Sequence, residues 1–170
     1  KAWKEGRFKD EVVPVELKSR KGSEMFAQDD HMRPDTTMEG LAKLPPPFSK
    51  NGCVTAGNAS GIVDGGAALL IASEDGLKKH GLNPLARLTH WAYVGVEPTL
   101  MGMGPAPATR MVLDKAKLTL KDIDLIEVNE AFAAQYLAVE KDLSLDRDRV
   151  NVNGGAIALG HPLGMTGTGL

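Results

Sequence analysis

Apolar and polar residues divide the chain into short, alternating pieces. Val12-Val13-Pro14-Val15-Glu16-Leu17 alternates with the two-residue period of a strand. Thr36 to Leu44 reads as a short helix, capped by Thr36 or Thr37, with Glu39 in its first turn and Pro45-Pro46-Pro47 ending it. Ala67 to Ala72 is a run of short apolar residues, the pattern of a strand buried on both faces. Ser73 then caps a helix over Glu74 to His80, with Gly81 as its left-handed stop and Pro84 beyond. Leu85 to Val96 mixes Leu, Thr, Trp, Tyr and Val and predicts a long strand. Gly102 to Pro107 is a loop whose two prolines suit the first turn of a helix over Ala108 to Ala116. Ile123 to Val128 is a strand. Ala131 to Leu143 places apolar side chains at 132, 136, 137, 139 and 143, one stripe of a helix. Val150 to Val152 is a last short strand. Strands that alternate with helices predict a parallel sheet with crossover helices. The chain is long enough for one respectable core, in one domain or a domain and a half.

Composition removes several function classes. The formal charge is −2 with both signs interspersed, so there is no electrostatic footprint for nucleic acid. The basic clusters, Lys1 to Arg7 and Lys18 to Lys21, are short and read as solvated surface. No apolar stretch approaches the roughly 20 residues that span a bilayer, so no transmembrane segment is predicted. A single cysteine, Cys53, excludes an intrachain disulfide and a Cys-based zinc site and suits a reducing compartment. No metal is implied.

The chemistry concentrates in a few runs. Asn151-Val152-Asn153-Gly154-Gly155-Ala156-Ile157-Ala158-Leu159-Gly160-His161-Pro162-Leu163-Gly164 holds one imidazole in a tight bend among small residues. Small residues let backbone approach backbone or ligand closely, and a ring fixed in such a bend is placed as a general base must be. Glu127-Val128-Asn129-Glu130-Ala131-Phe132-Ala133-Ala134-Gln135 puts a neutral amide where a strand becomes a helix. Asn51-Gly52-Cys53-Val54-Thr55-Ala56-Gly57-Asn58-Ala59-Ser60-Gly61 is a third run of small and hydroxyl residues.

In order and spacing these runs resemble three motifs of the thiolases, enzymes that make or break 3-ketoacyl-CoA by Claisen chemistry. They match the family's histidine motif, its NEAF motif and its NG-x-VTAGNASG run, with Cys53 where Thr often stands. Arg33-Pro34-Asp35-Thr36-Thr37 and Leu44-Pro45-Pro46-Pro47-Phe48 favour the mitochondrial, fatty-acid-degrading branch. The resemblance implies a layered α/β fold of two βαβ-type halves, mixed sheets with helices. Residues 1–55 would be the remnant of a lid-like loop domain, 56–84 the end of the N-terminal half and 85–170 the first part of the C-terminal half. It further implies thiolytic cleavage of 3-ketoacyl-CoA by ping-pong acyl transfer. Acyl-CoA and coenzyme A are the substrates, and no cofactor is tightly bound. The implied assembly is a homodimer or homotetramer, and the implied place the mitochondrial matrix, with bacterial cytoplasm or peroxisome as alternatives. Subunits of the family are more than twice this long. The expectation is therefore an internal piece, inactive alone, whose nucleophilic cysteine and second acid/base cysteine lie outside it.

The resemblance also assigns roles. His161 would take the proton of the nucleophilic thiol and help bind the thioester oxygen. Asn129 would donate to a developing oxyanion, directly or through water; otherwise it is a helix N-cap. Glu130 would orient its neighbours. Ser60 would hydrogen-bond the pantetheine arm, or else close a plain turn. Arg33 and Thr36 match positions near the nucleotide end of coenzyme A, where Arg suits phosphate or adenine. Phe48 would flank the same group, or pack in a core. Met101, Met103 and Phe132 would edge the acyl pocket, or fill gaps. Cys53 lies in the wrong motif for the nucleophile and reads as a buried, inert thiol.

After Gly164 the chain departs from the family. Met165-Thr166-Gly167-Thr168-Gly169 stands where a small residue, Ser, Gly, a small residue and Arg are usual. Three rival readings remain. A biosynthetic acetyl-CoA acetyltransferase shares every motif quoted, and a non-catalytic CoA-binding or assembly subunit would lack the cysteines altogether. A phosphate loop at Gly164, Gly167 and Gly169 has the wrong glycine order.

Overall fold

Val15 to Phe26 form a hairpin at the front of the chain. In the computed structural model, which describes all 170 residues, β1 (Val15–Ser19) pairs antiparallel with β2 (Gly22–Phe26), Val15 opposite Phe26 and Ser19 opposite Gly22. The predicted strand over 12–17 is shifted forward, because Pro14 has no N–H to give a ladder and pairing begins after it. Helix α1 (Met38–Ala42) is capped by Thr37, whose Oγ1 accepts from Gly40 N at 3.1 Å. Helix α2 (Glu74–His80) has the predicted ends. Ser73 Oγ accepts from Gly76 N, Gly81 is left-handed at φ 62, and acidic and basic residues fill the first and last turns.

Downstream, α3 (Pro105–Ala116) starts three residues earlier than predicted, with Pro105 and Pro107 in a first turn that needs no amide donors. Helix α4 (Ala133–Leu143) starts two residues later, because Phe132 is extended and bridges Ala59. Two short helices close the chain, α5 (Ala156–Leu159) and α6 (Leu163–Gly169). Gly164, Gly167 and Gly169 are helical, which removes the phosphate-loop reading. No helix is long and apolar enough to cross a membrane.

The predicted strands fare differently. Residues 67–72 and 85–96 form no ladder. Leu70 and Ile71 are more than four-fifths exposed, and Leu85 is fully so. A chain of β-forming residues becomes a strand only where a neighbour takes up its N–H and C=O groups, and no other segment pairs with these. The strands over 123–128 and 150–152 shrink to one parallel rung, Ile126 with Val150.

The core lies between α3, α4 and that rung: Ala106, Val128, Val139, Leu143 and Val150, edged by Met103, Leu120, Ile126, Tyr136 and Leu145. The α4 stripe is thus partly right, since Val139 and Leu143 point inward while Leu137 is about half exposed. The expected large core is absent. Accessible surface is 13,530 Å², against about 8,000 Å² for a folded monomer of 18.1 kDa. Uncovered apolar residues, Leu69 to Ile71 and Leu85 among them, contribute to the excess.

Val139 is the one large side chain with no exposure. Val139→Ala removes two methyl groups, worth about 0.8 kcal/mol each before any cavity is counted. Chemical denaturation of the full-length protein should show a loss of roughly 1.5–3 kcal/mol, with no change in the m-value.

Candidate active site

Asn129 is placed by a side-chain clamp. The rung that carries it consists of Ile126 N donating to Arg149 O and Asn151 N donating to Ile126 O, both at 2.9 Å. Asn151 then turns left-handed, at φ 49, and its backbone cannot continue the ladder. Its side chain takes over. Asn151 Oδ1 accepts from Val128 N at 2.8 Å, and Asn151 Nδ2 donates to Val128 O at 2.9 Å. Both polar groups of Val128 are satisfied, and the next residue is held at the rim. Asn129 is not a helix cap, because α4 is capped three residues later at Phe132.

His161 arrives on a separate loop, fixed at three points. Glu130 Oε2 accepts from Ile157 N at 3.2 Å, and a Cβ on Gly155 would run into the Glu130 carboxyl. Gly160 is buried at φ 96 against Val63, where any side chain would be both strained and blocked. His161 N donates to Gly61 O at 2.8 Å. The ring then lies with Nε2 3.3 Å from Asn129 Nδ2 and Nδ1 2.8 Å from Thr166 Oγ1. Asn129 Oδ1 is buried without a hydrogen-bond partner. An imidazole and an amide therefore converge across 32 residues of sequence, and one amide oxygen still seeks a donor.

The 58–61 segment runs alongside. Ser60 N and Ser60 Oγ both donate to Ala131 O, at 3.0 and 3.1 Å, and Ala133 N donates to Asn58 O at 2.8 Å. Ser60 thus adjoins Gly61, which holds the His161 amide, and Phe132 follows closely on Asn129. Met101, exposed, sits in a 3-10 turn over Pro98–Met103 that packs on α4, with Gln135 against Gly102. Arg33 and Thr36 share one turn, Thr36 Oγ1 donating to Arg33 O at 2.7 Å, and both are exposed. No hydrogen bond joins this turn, or the exposed Phe48, to the His161 pair. The His31 ring lies against Gly61, and Leu41 and Leu44 lie against Gly57. Cys53 is exposed, not buried as expected, because Asn58 Nδ2 holds Cys53 O in a surface turn. A cleft of about 320 Å³ lies beside the pair between residues 63–67 and 162–165, and its walls include neither His161 nor Asn129.

Two residues escaped the sequence reading. Asn151 opens the histidine run and looks like turn chemistry, although a polar residue after Val150 at a strand end was a signal. Thr166 lay in the stretch that departs from the family pattern, yet it keeps the β-hydroxyl of the usual Ser.

Residues 1–75 match the thiolase N-terminal domain, and residues 82–170 the thiolase C-terminal domain. The chain belongs to the thiolase family. It is 59% identical over 163 residues to the mitochondrial 3-ketoacyl-CoA thiolase of Pongo abelii, covering 96% of this chain and 41% of that protein. The crystal structure of the Bacillus anthracis acetyl-CoA acetyltransferase superposes with a TM-score of 0.91 at 54% identity, over 98% of this chain and 42% of the other. Human mitochondrial 3-ketoacyl-CoA thiolase in complex with CoA gives 0.87 at 52% identity, over 98% and 41%. The fold is therefore the α/β thiolase fold, of which this chain spans 41–42% of the relatives' length.

Among the acidic groups near this pair, Glu127 has its carboxyl pushed above the ordinary 4.5, first by lost hydration and then by the neighbouring Glu130. The folded state therefore holds this proton more tightly than the unfolded chain. That stability is fully present below 4.5 and is lost as pH rises through the folded value. Glu127→Gln should raise Tm at neutral pH. The gain should vanish below pH 4.5 when thermal melts are run across the range.

Proposed function

We propose that this segment carries the acid/base and oxyanion side of a thiolytic cleavage, in which 3-ketoacyl-CoA is split into acetyl-CoA and a shortened acyl-CoA during fatty-acid β-oxidation. The observation that supports this most is the 3.3 Å approach of Asn129 Nδ2 to His161 Nε2 in a chain of the thiolase family. His161 Nε2 takes the proton of a cysteine thiol outside these 170 residues. The sulfur adds to the 3-keto carbon, and the charge growing on its oxygen is met by the amide of Asn129 and by the now protonated imidazole. The carbon–carbon bond breaks, the acetyl-CoA carbanion collects a proton, and the acyl group stays on sulfur. The thiol of coenzyme A then attacks that thioester. It gives up its proton as it bonds, and the cysteine leaves.

Ser60 sits beside the pantetheine arm in this proposal. Its hydroxyl proton goes to Ala131 O, so toward a ligand it offers lone pairs. Phe132 and Met101 edge the acyl group. Arg33, Thr36 and Phe48 meet the nucleotide end, and their exposure leaves them open to it. The relative named for the mitochondrion supports the matrix as the place of action, and a homodimer or homotetramer as its form remains part of the proposal. A biosynthetic acetyl-CoA acetyltransferase is the second reading, favoured by the 0.91 superposition on the Bacillus enzyme. Turnover of long-chain against acetoacetyl substrates separates the two.

In the full-length protein, His161→Ala should lower the rate of acyl-enzyme formation by roughly 10²–10⁴-fold, with CoA affinity kept. An acylation burst equal to wild type would remove His161 from the mechanism.

Asn129→Asp keeps the shape but sets an acceptor and a charge where a donor is needed. Steady-state kinetics should show kcat down by roughly 10²–10³-fold. A fall in Tm with kcat unchanged would make Asn129 structural only.

A further inference from the structure

We infer that Thr166 is a positioning residue that fixes the tautomer of His161, so that the bare nitrogen of the ring is Nε2. The inference deepens the role proposed for His161 and rests on that role only for its effect on rate. The direction of each hydrogen bond follows from groups at the two ends of a short relay. At one end is Pro162 O, a carbonyl that only accepts. It takes the Thr166 backbone N–H at 3.0 Å and the Thr166 hydroxyl at 3.1 Å. With its proton spent there, Thr166 Oγ1 faces His161 Nδ1 at 2.8 Å as an acceptor, which requires N–H on Nδ1. At the other end, Asn129 Nδ2 only donates, and it faces Nε2 at 3.3 Å, which requires a lone pair there. Both ends demand the same tautomer. Thr166 belongs to the first turns of α6, and its back-bond to Pro162 locks the hydroxyl in place. A bare Nε2 is the state in which the ring receives a proton from a thiol.

The test reads the tautomer apart from activity. Full-length protein labelled with ¹⁵N-histidine should show His161, assigned through His161→Gln, with a pyrrole-type Nδ1 and a pyridine-type Nε2. Thr166→Val keeps the shape without the hydroxyl. It should give a mixture of tautomers and slow acyl-enzyme formation about tenfold, the scale of one neutral hydrogen bond. Thr166→Ser should restore both. Wild-type protein with the proton on Nε2 overturns the inference, as does Thr166→Val with an unchanged spectrum. Should Thr166→Val fail to fold, the wild-type spectrum and the serine variant still decide. A normal spectrum with acylation unaffected by His161→Ala would instead overturn the catalytic role of His161 and leave the tautomer assignment standing.

Discussion

The four residues Asn58, Ala59, Ser60 and Gly61 form the seam on which the rest of the site depends. On one side, Asn58 O and Ser60 N pair with Ala133 N and Ala131 O; on the other, Gly61 O takes the amide of His161. Neither the Asn129 turn nor the His161 loop has a core of its own. Each is located by a few directional bonds to this strip of backbone. At Gly61 a Cβ would run into the His31 ring, so a larger residue there would disturb the strand edge that holds His161. Hydrogen bonds suit this task because their geometry is narrow, with N–H···O distances near 2.9 Å and well-aligned donors. Apolar contact alone has no such directionality.

That division of labour runs through the molecule. Hydrophobic burial is confined to the α3–α4 pair and the single rung beside it. Elsewhere the apolar residues, Leu69 to Ile71 and Leu85 to Tyr93 among them, stand in solvent. Each wet large aliphatic side chain forgoes about 1.5–3 kcal/mol of transfer free energy. The surrounding surface therefore cannot be what keeps the site rigid. Rigidity comes instead from polar closure: the Asn151 amide on both groups of Val128, and Glu130 on the loop before His161.

Much of this was legible in the sequence, and the reason differs by element. Helices α2, α3 and α4 were read to within a few residues because caps, prolines and an apolar stripe are local signals. The expected start of α4 at Ala131 is two residues early because long-range pairing with Ala59 holds Phe132 extended and delays the helix. Strands 67–72 and 85–96 were read from composition alone. Composition reports that a segment suits a sheet, never that a neighbour is present. For the candidate site, the motifs name His161, Asn129 and Ser60, and the fold brings the first two within 3.3 Å. They did not give Asn151 or Thr166, whose roles arise only when a hydroxyl or an amide is brought to a particular donor or acceptor. Neither the turn of Arg33 and Thr36 nor Phe48 beyond α1 is tied to the pair by a hydrogen bond, so their placement relative to His161 is not in the motif either.

Asn129 shows how such a site stays ready for chemistry. Its Nδ2 gives one hydrogen to His161 at a long 3.3 Å, while its Oδ1 is buried with no donor. The protein itself supplies Oδ1 with no donor, and a long bond at Nδ2 holds the amide only weakly. The amide is thus held in orientation by its backbone clamp rather than by its own partners. A group entering between the amide and the ring replaces one weak contact, and Oδ1 is open to a donor from outside the protein. Were Asn129 fully satisfied by protein, any ligand would first have to break good bonds. Incomplete satisfaction at the amide, with full satisfaction at the Val128 that carries it, is what permits a rigid frame and an accessible donor in adjacent residues.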